Sequence, residues 1–279
     1  MEYRINEKLY YKIFNNPEKI ESLNKVAFDL LIDLNVDIID KYSKYLEGEI
    51  TIDLEHKRDT IIYALLNYLL AIMNTYCMFI SGSHKIGALI LSRTITEIFI
   101  KVHYLLEIDD ENVYTNYIKS SLIAEKFYLK ELEGMQSFEK EFVEGTKNSI
   151  FTLLNNSNIE DVDELNRKNS SFPSIEKMCK YLIEKEIISA ASYSIVYRTT
   201  SNYTHANWSA VENEMFRNKS KKVDMRLIAP IAIQIIEMLL FIDSKMQNIE
   251  HTFKEKLKIY EDAFIILDKT FIERYWVKN

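Results

Sequence analysis

Residues 83–107 read SHKIGALILSRTITEIFIKVHYLLE, and this stretch decides the fold. Apolar side chains recur in it at helical spacing and no proline interrupts it, so it predicts one long helix with Ser83 as the N-cap. The same spacing runs through almost the whole chain. Only 5 glycines and 3 prolines occur among the 279 residues, whereas average usage would give about 33. So few turn-forming residues exclude a fold of many short strands, and we expect an all-α bundle of long antiparallel helices.

Caps and turn signals divide the chain into helices with short connections. Asn16 and either Asp109 or Asp110 are expected N-caps, and Phe172-Pro173-Ser174 opens a helix through Leu182. The other predicted helices cover 17–46, 53–80, 84–107, 110–133, 187–203, 224–246 and 249–275. The most loop-like stretch is 155–171, with room for one short helical turn. We expect a single domain over 1–279, with a core at about 60–245, an N-terminal helical extension (1–59) and a C-terminal helix (249–275).

Composition narrows the class of protein further. Hydrophobic residues make up 47% and charged residues 28% of the chain, which are ordinary globular values and exclude wholesale disorder. The net charge of −7 argues against a protein that coats nucleic acid, because such a protein needs a broad basic excess. The net charge does not exclude an enzyme that binds RNA at one local patch.

The cellular location is predicted from cysteines and apolar runs. Cys77 and Cys179 lie in apolar helical surroundings and are expected to be buried thiols in a reducing compartment. The first residues carry mixed charge without an apolar stretch, so we expect no signal peptide. The runs 64–80 and 227–242 are interrupted by polar residues and fall short of the roughly 20 apolar residues of a membrane span. The chain is therefore expected to be soluble and cytoplasmic, with no membrane partner.

The first constellation of polar residues lies in the middle of the stretch quoted above. Arg93 and Glu97 are the only charged residues between Lys85 and Lys101, and their spacing places them on one helix face. The base precedes the acid, which is the less favourable order for stabilising a helix. Two interpretations stay open: a structural ion pair with a neighbouring helix, or an arginine that binds phosphate and is held by Glu97.

The second constellation is the segment 193–207. If it is helical, Ser194, Arg198, Ser201 and His205 form one polar stripe, with Arg198 and His205 two turns apart. A histidine can move a proton near neutral pH, and a guanidinium can hold two phosphate oxygens. The stripe therefore suits a phosphodiester, although a lone histidine is also a common structural residue.

A basic cluster follows this segment. Its members are Arg217, Lys219, Lys221 and Lys222. In an acidic protein, such a cluster is either the place where an RNA backbone binds or simply a solvated loop.

Several other kinds of site are excluded by the sequence or remain minor. The chain has no GxGxxG, no phosphate-binding GKS or GKT, no HExxH and no Glu-x-x-His repeat, so we expect neither a metal nor a cofactor. His103 and Glu107 lie one turn apart and can form a supporting pair or a surface pair. Asp109-Asp110-Glu111 suits a helix N-terminus.

Together these residues resemble a known pattern. Arg93-x-x-x-Glu97 on an apolar helix, Phe172-Pro173-Ser174, and Tyr197-Arg198-x-x-Ser201-x-x-x-His205 resemble a large bacterial family of unknown function. The spacing Arg198-x(6)-His205 also resembles the signature of the HEPN superfamily, over roughly residues 60–245.

The resemblance implies a fold and an activity. HEPN domains are all-α bundles, commonly homodimers, and many are metal-independent ribonucleases of toxin–antitoxin or antiphage systems. It implies that Arg198 and His205 are the catalytic pair and that the dimer brings both copies into one cleft. Arg93, Glu97, Ser201, Tyr197 and Asn202 would then bind the substrate RNA.

Three hypotheses follow for the function. The first is an endoribonuclease that cleaves RNA by attack of the ribose 2′-OH, with His205 as proton carrier and Arg198 on the phosphate. The second is a non-catalytic HEPN-like module that binds a nucleotide, RNA or protein partner such as an antitoxin or a defence-system protein. The third is a buried structural network of Arg93, Glu97, Arg198 and His205, in which each single change would cost several kcal/mol.

Overall fold

The structure, a computed structural model, describes a set of ranges within the chain: 7–46, 57–134, 140–157, 159, 162–165, 172–191, 197–205, 207, 210, 212, 225–246 and 251–275. Within these ranges the chain forms helices and no strand, which confirms the all-α prediction. The α-helices are α1 (Glu7–Asn15), α2 (Leu23–Leu46), α3 (Lys57–Ser81), α4 (Lys85–Ile108), α5 (Glu111–Ser121), α6 (Ile123–Gly134), α7 (Lys140–Asn156), α8 (Ile175–Glu184), α9 (Arg198–Thr204), α10 (Met225–Met246) and α11 (His251–Tyr275). Short 3₁₀ helices cover Pro17–Lys19 and Val162–Glu164.

Helix α4 lies at the centre of the bundle. It packs against α3, α5, α8, α9 and α10, and half of its residues are buried. Ser92 and Thr96 are fully buried, and their hydroxyls lie 2.9 Å from the carbonyl oxygens one turn earlier. Thr96 Oγ1 also lies 2.9 Å from Oε1 of the buried Gln234 on α10. These three polar side chains of α4 and α10 are thus hydrogen-bonded inside the bundle, as burial requires.

The turn between α3 and α4 differs from the sequence prediction. Ser83 is not the N-cap: its backbone is left-handed, with φ of 57°, and His84 occupies the N-cap position without a side-chain hydrogen bond. Gly87, in the first turn of α4, allows a close approach to α3. A Cβ at this position would lie 2.6 Å from Cδ2 of Phe79, well inside van der Waals contact.

The terminal helices share one hydrophobic core with the central helices. Side chains of α1, α2, α10 and α11 belong to the same buried cluster as those of α3 and α4. Between α2 and α11, the Tyr260 hydroxyl donates to the carboxylate of Asp37, and Lys256 Nζ lies 2.5 Å from Asp37 Oδ2. Arg274, near the end of α11, donates to the carbonyl oxygens of Ile20, Pro17 and Glu18. The N-terminal extension and the C-terminal helix are therefore integral to this core.

A second, smaller cluster lies beside the main core. Helices α6 and α7 pack together with the segment around the second 3₁₀ helix. Its buried residues are Leu122, Leu129, Leu132, Val143, Ile150, Leu154, Ile159 and Leu165. The short helical turn predicted within 155–171 is the 3₁₀ helix Val162–Glu164, and α7 continues to Asn156.

Some predicted boundaries are confirmed and others are wrong. Asp110 caps α5, because its side chain accepts a hydrogen bond from the Asn112 N–H, and Ser174 caps α8 in the same way. The predicted helix 17–46 begins only at Leu23, because the chain leaves the 3₁₀ helix through an extended Ile20. Helix α1, before it, was not predicted.

Two further predicted helices are interrupted. The helix expected over 110–133 divides at Leu122 into α5 and α6. The helix expected over 187–203 is not helical at 187–189. Here the chain leaves α8 through Glu186, which has φ of 58°, and the Ile187 N–H donates to the Leu182 carbonyl in the manner of a helix C-terminal motif. The helix that carries the second constellation, α9, begins at Arg198.

Among the described helices, two are long and apolar enough to cross a membrane by length and composition alone. They are Lys57–Ser81 and the segment Leu227–Met246 of α10. In both, more than half of the most apolar window is buried within the chain, as in the core helix of a soluble protein.

Candidate functional site

Arg93 and Glu97 lie on the part of α4 that the other helices leave partly open. The Arg93 Nε donates to Glu97 Oε1 over 2.9 Å, and the two side chains are 15% and 25% exposed. The flanking Ile95 and Ile98 are buried, so the apolar residues of the helix fix which way the pair faces. The carboxylate holds one edge of the guanidinium and leaves its two terminal nitrogens directed elsewhere.

Helix α9 brings three side chains to that guanidinium. Tyr197, Ser201 and His205 are spaced four residues apart, which places them along one side of the helix. Arg93 Nη1 lies 2.7 Å from His205 Nε2 and 3.4 Å from Ser201 Oγ, and Nη2 lies 3.4 Å from the Tyr197 hydroxyl. The guanidinium carbon lies 5.2 Å from the centre of the Tyr197 ring, within cation–π range.

The fixed contact between α9 and α4 positions these side chains. Thr200 is fully buried, and its hydroxyl donates to the Tyr197 carbonyl. His205 is exposed at the C-cap position, where its N–H donates to the Ser201 carbonyl. The site is therefore packed at its base, where α9 lies against α4, and open to solvent at the histidine.

The remaining predicted site residues have different surroundings. Arg198 is exposed at the first position of α9, and the guanidinium that contacts His205 belongs to Arg93. Asn202 Oδ1 accepts a hydrogen bond from Asn207 Nδ2 over 3.1 Å, and its carbonyl accepts one from the Asn207 N–H. Asn202 thus closes the turn that ends α9. The basic cluster of Arg217, Lys219, Lys221 and Lys222 lies outside the described residues.

His103 and Glu107 have no part in this site. His103 is buried, its Nδ1 lies 2.8 Å from the Phe99 carbonyl oxygen, and its ring stacks on Phe241. Burial lowers the pKa of His103 to about 4, because the charged imidazolium would be desolvated. Glu107 pairs instead with Lys245 Nζ, 3.1 Å away. Neither the supporting pair nor the surface pair considered from the sequence is formed.

Comparison with known protein families finds a match over much of the chain. Residues 59–223 match a family described as a family of unknown function, DUF5677, and this range covers more than half of the chain. The chain belongs to DUF5677. The matched range of DUF5677 includes all five residues gathered at the site, from Arg93 to His205. No curated protein and no solved structure matches the chain.

The sequence predicted only part of this site. The spacing of four residues in Arg93-x-x-x-Glu97 and in Tyr197-x-x-x-Ser201-x-x-x-His205 defines two helix faces. It does not show that these two faces are in contact. The sequence did not show that Arg93 contacts both Glu97 and His205. Among the described residues, no group of three or more His, Cys, Asp or Glu side chains is placed to hold a metal ion.

Proposed function

We propose that the protein is a HEPN-like, metal-independent endoribonuclease that cleaves RNA through attack of a ribose 2′-OH on the adjacent phosphodiester. The observation that supports it is the contact of 2.7 Å between the exposed His205 and the guanidinium of Arg93. A proton carrier and a cation that can hold a phosphate are thereby placed side by side, as this chemistry requires.

Each side chain has a role in this proposal. His205 accepts the proton of the 2′-OH and afterwards donates one to the leaving 5′-oxygen. Arg93, held by Glu97, binds the non-bridging oxygens and stabilises the charge that develops on them. The hydroxyls of Ser201 and Tyr197 lie within reach of the same phosphate. The products would carry a 2′,3′-cyclic phosphate and a 5′-hydroxyl.

Arg198 and the basic cluster extend the proposed RNA path. Arg198 is exposed one residue after Tyr197, so it can contact a neighbouring phosphate. Arg217, Lys219, Lys221 and Lys222 would bind the RNA backbone further along. By the resemblance to HEPN proteins, the chain would act as a homodimer in a toxin–antitoxin or antiphage system, and its sequence predicts a location in the cytoplasm.

The test compares three proteins on total RNA in the presence of EDTA. They are the wild type, His205→Ala, and the matched control His251→Ala, which removes an exposed histidine on α11 far along the chain. We expect the wild type and the control to cleave RNA and to leave cyclic phosphate ends, and His205→Ala to be inactive. Loss of cleavage on adding EDTA, or cleavage by His205→Ala, would refute the mechanism.

The second candidate is a non-catalytic module that binds RNA, a nucleotide or a protein partner in the same cleft. The observation that favours it is that the Arg93 guanidinium already contacts His205 Nε2, the nitrogen that would accept the proton in catalysis. This candidate predicts RNA binding without cleavage, and binding that His205→Ala leaves intact.

A further inference from the structure

The contact with Arg93 determines which ring nitrogen of His205 acts as a hydrogen-bond acceptor. A guanidinium carries only N–H donors, so His205 Nε2, 2.7 Å from Arg93 Nη1, must present its lone pair. In this contact the ring nitrogen that can carry a proton is Nδ1. In this arrangement the lone pair that a general base would use is already engaged.

At its Nη edge Arg93 makes one short contact and two long ones. Its Nε donates to Glu97 over 2.9 Å, whereas the contacts of Nη1 with Ser201 and of Nη2 with Tyr197 are 3.4 Å long. At the upper limit of hydrogen-bonding distance these two contacts are weak. The short contact with His205 is thus the main one that a ligand at the Nη edge would have to replace.

We propose that the Nη edge of Arg93 is a binding site for a phosphodiester monoanion, and that the anion displaces His205 from Arg93 and so frees Nε2 to act as a base. An anionic oxygen is a stronger acceptor for a guanidinium than an imidazole nitrogen, because the hydrogen bond is charge-assisted. Two non-bridging oxygens also match the two terminal nitrogens in a bidentate pair. The histidine becomes a base only where a phosphodiester is bound.

The charge of the site favours this ligand class. The charges of Arg93 and Glu97 cancel within their ion pair. A phosphodiester brings one negative charge, whereas a phosphomonoester dianion brings a second that the Glu97 carboxylate repels. The site is therefore suited to an internal linkage of a nucleic acid rather than to a terminal phosphate.

The first test measures the tautomer of His205 by ¹⁵N NMR on the full chain, at a pH of about 8.5, well above the ordinary histidine pKa of about 6.5. The His205→Ala spectrum assigns the signal. Without ligand we expect an unprotonated Nε2 and a protonated Nδ1. Dimethyl phosphate has no 2′-OH that would hold the released Nε2, so we expect the tautomer mixture of a free imidazole to appear as it is added. His103, whose Nδ1 faces the Phe99 carbonyl, serves as the internal control that does not respond. An Nε2–H tautomer without ligand, or no response to dimethyl phosphate, would overturn the proposal.

The second test measures the affinity for dimethyl phosphate. If His205 competes with the anion for Arg93, then His205→Ala binds dimethyl phosphate more tightly, by roughly three- to tenfold. Unchanged or weaker binding by His205→Ala would show that the histidine does not compete, and would overturn the displacement. Arg93→Lys keeps the positive charge but loses the two terminal nitrogens of the guanidinium. We expect it to bind dimethyl phosphate more weakly than the wild type.

This inference deepens the proposed function, but neither test requires cleavage. A protein that passes both tests and leaves RNA intact refutes the ribonuclease and retains the anion-displaced histidine. A protein that cleaves RNA through His205 but fails the tautomer test retains the ribonuclease and refutes the displacement.

Discussion

Arg93 connects the two helices of the site through opposite edges of its guanidinium. Glu97 accepts from the Nε edge within α4, and His205 of α9 accepts from the Nη edge. The arginine is mostly buried at 15% exposure, while His205 is exposed. The third hypothesis, a wholly buried network, therefore does not describe the histidine.

Replacing His205 should hardly change stability. Because its side chain is exposed, we expect His205→Ala to change the free energy of unfolding by less than about 1 kcal/mol, rather than the several kcal/mol of a buried network. Urea denaturation of the two proteins measures this difference. A loss of several kcal/mol would restore the structural interpretation.

Glu97 should matter more for stability, because it neutralises a mostly buried cation. We expect Glu97→Gln to lower the free energy of unfolding by about 1–2 kcal/mol, between the values typical of surface and buried ion pairs. The matched control is Glu255→Gln, which removes the carboxylate of the exposed pair with His251 on α11. If both variants lose the same stability, Glu97 has no special role in holding Arg93.

His103 makes part of the stability depend on pH. Burial lowers the pKa of His103 to about 4 in the folded protein, against about 6.5 in the unfolded chain. The unfolded chain therefore binds the proton first, and stability falls as the pH drops from about 6.5 towards 4. The loss attributable to this residue is on the order of 2–3 kcal/mol. The variant His103→Leu should lose less stability between pH 7 and pH 5 than the wild type, and equal losses would contradict this origin.

Among the secondary-structure elements, α4 could be predicted closely and α9 could not. The periodicity of apolar residues in 84–107 predicted both ends of α4 to within one residue, because the apolar side chains of this helix are buried against its neighbours. The chain leaves α8 through Glu186, a glutamate in the left-handed conformation, and no glycine in the sequence indicates this turn. Local sequence also could not show that Arg93 faces His205, because 112 residues separate them.

Gly87 sets how closely α4 packs against α3. An alanine has the higher helix propensity, by about 1 kcal/mol, yet its Cβ would lie 2.6 Å from the Phe79 ring. We expect the cost of overpacking to exceed the gain, so that Gly87→Ala lowers stability by about 1 kcal/mol. In the Phe79→Leu background the same change should become neutral or stabilising. Thermal melts of the four proteins decide this, and an equal loss in both backgrounds would exclude the ring as the cause.

Considered as a whole, the molecule extends beyond the matched family range. Residues 59–223 end just before α10, whose apolar side chains Ile231, Ile235 and Leu239 belong to the same core as α3 and α4. Composition and periodicity were enough to predict an all-α helical bundle, since so few turn-forming residues occur. They could not predict that α1, α2 and α11 complete the core, because that depends on contacts between opposite ends of the chain such as those of Arg274.

A fragment limited to 59–223 should therefore not fold independently. Without α2, α10 and α11, it would expose the apolar faces of α3 and α4 to water, at a cost of about 25 cal/mol per Å². We expect it to aggregate or to lack a cooperative thermal transition by circular dichroism, whereas the full chain melts cooperatively. A cooperative melt of the fragment at the temperature of the full chain would contradict the single shared core.

Whether α4 and α9 form one catalytic site can be tested by a single set of RNA cleavage rates in EDTA. The proteins compared are the wild type, His205→Ala and Arg93→Lys, each shown to be folded. We expect His205→Ala to be inactive and Arg93→Lys to lose at least about tenfold in rate, because a lysine cannot hold two phosphate oxygens in the geometry of the guanidinium. Cleavage by Arg93→Lys at the wild-type rate would contradict the assignment of Arg93 to the site, and cleavage by His205→Ala would contradict the site itself.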